Sequence, residues 1–204
     1  MIEASFSAFV FSVYLRSLSP SIAGGDAGEV VAEACHLGVA HPPGYPLFIL
    51  LNHVVTKKME FLGGSEAYRA NMLAALFNAA ACFFIVNATR DVSTMCFKAQ
   101  TNAWTARICG CLAGGLWALS PLVWQYSVTA EVFAMNNFFA AALIALAARY
   151  AVSPDPLRWA AAGALATGLG LCNQHTLLLL ALPLTAWVLA TLFALPAPAA
   201  AAAA

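Results

Sequence analysis

Residues 71–87 read NMLAALFNAAACFFIVN, and residues 132–148 read VFAMNNFFAAALIALAA. Neither run contains a charged side chain. A helix rises 1.5 Å per residue, so about 20 apolar residues cross the ~30 Å hydrocarbon core of a bilayer. Both runs are read as membrane spans. Working outward, residues 4–18, 108–124, 157–172 and 176–195 are similarly apolar, which gives six candidate spans. Residues 45–55 are too short to span and are read as an interfacial or re-entrant helix.

Composition supports the same class. Of 204 residues, 62% are hydrophobic and 9% charged, with a mean hydropathy of +0.81. A soluble domain carries about 25% charged residues, so this chain cannot build a water-facing surface. Disorder is excluded, because it requires low hydrophobicity and high net charge. Nine Lys plus Arg balance nine Asp plus Glu, so no basic patch points to nucleic acid. The expected fold is an all-α polytopic transmembrane bundle. Residues 1–196 are expected to form one membrane-embedded unit, and residues 197–204 an alanine-rich tail without functional content.

A cleaved signal peptide is the alternative for the first run, since Ser21-Ile22-Ala23 offers a small-x-small site. Residues 1–15 contain no Lys or Arg for the basic n-region such a peptide needs. The cysteines sit mostly in apolar surroundings and read as small hydrophobes. Cys109 and Cys111 form a CxC without a histidine at zinc-site spacing. No metal or other cofactor is expected. Gly110 and Gly114 make a GxxxG, and Gly163, Gly168 and Gly170 recur downstream, as expected for helices packed closely in lipid.

Arg90, Lys98 and Arg107 lie between the second and third runs, and Arg149 and Arg158 between the fourth and fifth. The positive-inside rule makes that side cytoplasmic. The opposite side receives residues 19–69, the turn 125–131 and the corner 173–175. Asp26, Glu29, Glu33, His36 and His41 follow the first run there, with Gln125, Glu131, Asn173, Gln174 and His175 at the same level. Ionisable groups at a membrane face suggest a functional cavity.

Asp26, Glu29, Glu33 and His36 share one helical face, and Val30, Val31, Ala34 and Leu37 supply a greasier one. This predicts an amphipathic helix on the membrane surface. Asp26 and Glu29 also match a D-x-x-E capping box, so capping and function stand as equal readings of both. His41-Pro42-Pro43-Gly44-Tyr45-Pro46 is proline-rich and forces a rigid turn, which could fix His41 and Tyr45 or merely separate two helices. Asn136 and Asn137 are expected to hydrogen-bond other helices.

Several of these stretches resemble the hallmarks of one family: GGDAGE at 24–29, LGVAHPPGYPL at 37–47, YRANMLAALF at 68–77, AEVFAMN at 130–136 and GLCNQHT at 170–176. The family is a membrane domain of unknown function in bacteria and eukaryotes. Its animal member is a transmembrane O-mannosyltransferase acting on IPT domains of plexins and related receptors. The resemblance implies a GT-C glycosyltransferase fold and a multi-pass protein of the endoplasmic reticulum or, in bacteria, the inner membrane. It implies a dolichyl phosphate mannose donor and Ser or Thr of an acceptor protein, with no cofactor besides the lipid-linked donor.

By the same resemblance Asp26 is the catalytic residue, with Glu29 as its neighbour, and His41, Tyr45, Arg69, Glu131, Asn173 and His175 are expected to bind substrate. An aspartate near the acceptor hydroxyl can take its proton. The leaving phosphate needs donors or cations where its charge develops, and Arg69, His41, His175 or the N–H groups around Gly24 and Gly25 could provide them. Attack from the face opposite the leaving group inverts the sugar. Two rival readings are a transporter or assembly subunit using the same charges, and a related enzyme moving another lipid-linked sugar. No internal repeat favours a transporter.

Overall fold

The computed structural model describes residues 2–97 and 102–194. Lys98, the last residue of the sixth run and the 197–204 tail lie outside the described residues. All regular elements described are helical. In chain order they are α1 (Ile2–Arg16), α2 (Ala27–His36), α3 (Pro46–Lys58), α4 (Glu66–Phe97), α5 (Ala103–Ala118), α6 (Pro121–Ser127), α7 (Val132–Val152), α8 (Pro156–Leu171) and α9 (Leu178–Ala194). Short 3-10 turns at Glu60–Leu62 and His175–Leu177 precede α4 and α9.

Three helices have the length and apolarity to cross a membrane: α4, α7 and the unit His175–Ala194. A fourth crossing is possible if α5 and α6 count together, but they meet at 73°. The straight third span expected over residues 108–124 is therefore corrected to a bent pair. Pro121 is the cause. It opens α6 and holds Ser120 in extended backbone, so the α5 helix cannot run through it. At 15 and 16 residues, α1 and α8 are shorter than a full crossing.

α4 is the spine of the bundle, with α1, α5 and α7 packed around it. Arg69 and Arg90 stand three and seven residues inside its two ends, about 32 Å apart at 1.5 Å per residue, close to the thickness of a bilayer core. The GxxxG of α5 lies against α4: a Cβ on Gly110 would sit 2.6 Å from the Val86 carbonyl oxygen, and one on Gly114 2.6 Å from Val86 Cγ2. Gly163 and Gly168 of α8 differ from expectation, since each faces open space rather than a neighbouring helix. Asn137 Nδ2 donates to Asn78 Oδ1 at 3.2 Å and Asn78 Nδ2 to Ser127 Oγ at 2.9 Å, tying α4, α6 and α7.

The amphipathic segment folds as α2, which buries Ala27, Val30, Val31 and Ala34. Leu37 does not join that face. It leaves the helix in the left-handed region at φ 54° and is exposed, because α2 closes there with the Gly38 N–H on the Glu33 carbonyl. The interfacial helix appears as α3. Val30, Tyr45, Phe48 and Ile49 pack with Val132, Met135 and Phe139 of α7, which anchors α2 and α3 to the bundle. His53 Nδ1 and the Ala34 carbonyl, 2.8 Å apart, link the two helices further.

Candidate active site at the start of α2

Asp26 occupies the N-cap position of α2, yet its side chain makes no capping hydrogen bond. The cap comes from elsewhere. Glu131, at the start of α7, accepts the Asp26 N–H on Oε1 at 3.1 Å. Its carboxylate is 7% exposed, so an acid from the α6–α7 turn closes the helix from inside the bundle. Gly25 makes room for it. Its φ is +73°, and an added Cβ would come within 2.8 Å of Glu131 Oε1.

Relieved of capping, the Asp26 side chain remains 63% exposed, with Oδ2 3.9 Å from His41 Nε2. Glu29 holds that histidine. Its Oε1 accepts the His41 backbone N–H at 2.6 Å and its Oε2 lies 2.8 Å from Nδ1. The capping box is thus corrected: Glu29 turns to the 37–45 loop instead of back to the helix start. Bonding Nδ1 to Glu29 directs Nε2 toward Tyr45 Oη, at 3.1 Å, and toward Asp26. The proline-rich turn supplies the fixed geometry. Gly44 has φ +89°, Tyr45 is in the left-handed region at φ 46°, and Pro46 opens α3.

The His41 hydrogen bond holds the Glu29 carboxyl below its ordinary range, and the same bond raises the imidazole above its ordinary 6.5, with Asp26 and Glu131 adding to the effect. Burial, then the charge of Asp26, raises Glu131. Attraction between Glu29 and the imidazolium is therefore full between the lowered Glu29 value and 6.5, and is lost as pH rises through the raised His41 value. Histidine-selective NMR titration should place the His41 midpoint above 6.5, and Glu29→Gln should lower it. A midpoint unmoved by Glu29→Gln would refute this pairing.

Five expected site residues, Asp26, Glu29, His41, Tyr45 and Glu131, come together. Among the described residues, no hydrogen bond or ion pair joins Arg69, Asn173 or His175 to them. Arg69 is 6% exposed and spends its guanidinium on backbone, donating to the carbonyls of Thr56 at 2.7 Å and Gly64 at 2.8 Å. Asn173, also buried, donates to the Val132 carbonyl at 3.2 Å and so props the turn carrying Glu131. His175 is exposed at the start of its 3-10 turn. Asn71 was not anticipated: its Nδ2 donates to the carbonyls of Ser19 and Ser21 at 2.9 and 3.0 Å, tethering the strand of chain that leads into Asp26. It lies within the 68–77 motif, but nothing local reveals partners 50 residues away.

Asp26, Glu29 and His41 each offer one ligand atom within 4.8 Å of the others, the only such grouping among the described residues. These three could hold a divalent cation, although the His41 nitrogens already face Glu29 and Tyr45.

Residues 26–194 match the family described as the Protein O-mannosyl-transferase TMEM260 N-terminal domain. The chain belongs to this family. The TMEM260 N-terminal domain match starts at Asp26 itself and takes in every residue of the cluster. A mouse relative named Protein O-mannosyl-transferase TMEM260 is 40% identical over 185 residues, covering 89% of this chain and 24% of the relative. A Dictyostelium discoideum relative named Protein O-mannosyl-transferase tmem260 is 32% identical over 189 residues, covering 87% of this chain and 22% of the relative. The chain thus spans about a quarter of the length of these TMEM260 relatives. No solved structure gives a significant match.

Proposed function

We propose that this chain is the catalytic membrane portion of a protein O-mannosyltransferase with a GT-C-type bundle. In this reading α1, α4, α5 with α6, α7, α8 and the His175–Ala194 unit serve as six membrane-embedded elements, in the endoplasmic reticulum membrane. Mannose passes from dolichyl phosphate mannose to a Ser or Thr hydroxyl of an acceptor protein with inversion at the sugar. Asp26 takes the hydroxyl proton as the new C–O bond forms, and the bond to the phosphate breaks with its electron pair. His41, held by Glu29, stands beside Asp26 and orients its carboxylate toward the acceptor hydroxyl.

One observation carries this reading. Asp26 stands at a helix start without capping it, while a buried acid from another helix performs that task. A carboxylate that only stabilised α2 would be engaged there. The names of the TMEM260 relatives supply the sugar and the class of acceptor.

The test uses the full-length protein with an IPT-domain acceptor and labelled mannose. Transfer is expected from dolichyl phosphate mannose and not from a nucleotide-linked mannose. Transfer from neither donor, by protein that is folded and inserted, would reject the proposal and favour a non-enzymatic membrane role.

A further inference from the structure

At the end of the bundle opposite Asp26, a charge network adjoins an apolar groove. Glu3 of α1 meets Arg90 at 3.0 Å and Arg107 at 3.5 Å, and Asp91 meets Arg90 at 3.0 Å and Arg149 at 2.7 Å. Both carboxylates are buried, while the Arg107 side chain remains 40% exposed. Among the described residues, three guanidinium groups against two carboxylates leave a positive charge over, carried to the surface by Arg107 and Arg149, each 40% exposed, of which Arg107 adjoins the groove.

From Arg107 a groove of about 490 Å³ follows α5, walled by Ile2 and Phe6 of α1 and by Ile108, Leu112 and Leu116 of α5. Gly115 keeps it open, since a Cβ there would stand 3.2 Å from Phe6 Cζ. Exposed Trp104 lines the same end as Arg107. An indole beside a cation marks the headgroup level of a bilayer. From Arg107 to Ala118 the helix rises about 17 Å, against roughly 15 Å for half a bilayer core. The groove is therefore one leaflet deep, apolar along its length and cationic at its headgroup end. The smaller cavity of about 290 Å³ between α7, α8 and α9 has no Lys or Arg in its lining and lacks this polarity.

We propose that the α1–α5 groove holds an acyl chain of an anionic phospholipid from the leaflet opposite the Asp26 site, with the lipid phosphate on Arg107. The charge selects the lipid: a zwitterionic headgroup gains little from the surplus arginine, whereas an anionic one neutralises it. This binding is independent of the transfer reaction proposed above.

Full-length protein is reconstituted in phosphatidylcholine nanodiscs containing a minor fraction of phosphatidylserine, and the lipids it retains are measured by native mass spectrometry. Wild type should keep phosphatidylserine over phosphatidylcholine by about fivefold, and Arg107→Gln should bring the ratio near one. Placing the photo-crosslinker p-benzoylphenylalanine at Leu112, with Arg107 intact, gives a second reading that does not depend on that variant folding. A glycerophospholipid adduct supports the proposal. A wild-type ratio of one, an unchanged ratio in Arg107→Gln, or a crosslink to a peptide of the same chain would each overturn it.

Discussion

Asp26→Asn is expected to lower mannosyl transfer by roughly 10²–10⁴-fold, the usual contribution of a general base, with no loss of folded protein. The side chain makes no cap bond, is mostly exposed and only approaches His41 at 3.9 Å, so asparagine removes a proton acceptor without leaving a buried group unpaired. The α2 cap stays in place, because Glu131 binds the backbone N–H of residue 26, which the substitution leaves intact. Transfer by the full-length variant, normalised to the amount inserted, is the measurement. Rates close to wild type would remove Asp26 from the chemistry.

Arg69→Met is expected to act in the opposite sense, on stability before activity. Arg69 is buried, and its guanidinium joins the end of α3, through the Thr56 carbonyl, to the Gly63–Gly64 turn that leads into α4. Hydrogen bonds from a charged donor contribute about 1.5–3 kcal/mol, so the variant should lose ~3 kcal/mol and melt several degrees lower in detergent. Arg69→Lys separates this role from phosphate binding. A lysine is a competent point charge for phosphate but lacks the planar fork that reaches two carbonyls at once. The clamp therefore predicts that Lys is nearly as damaging as Met. A lysine variant with wild-type stability and reduced donor binding would instead support a substrate role.

The two sequence signals behind this picture, uncharged runs and motif positions, differ in how far they reach. Residues 71–87 and 132–148 announce α4 and α7 because burial in lipid demands an unbroken apolar run, a property readable from the run alone. Residues 108–124 satisfy the same demand, yet Pro121 splits them, since hydropathy is blind to a missing backbone N–H. At the site, Asp26, Glu29 and His41 lie close in sequence and their cluster was legible. Glu131 was expected at the same level as these three, but its bond to the start of α2 was not legible, because what caps α2 depends on a contact 105 residues away. The network of Glu3, Arg90, Asp91, Arg107 and Arg149 joins four helices, and its charges read one at a time gave only an orientation.

That remote cap has a consequence for biogenesis. Translation delivers residue 26 long before residue 131, so a nascent chain carries α2 to the membrane with its first N–H groups open. Only when α7 inserts and brings Glu131 alongside does the backbone at residue 26 gain its acceptor. The order of helix insertion thereby sets when Asp26 takes up its final position, and an intermediate stalled before α7 holds Asp26 without the backbone acceptor that Glu131 provides.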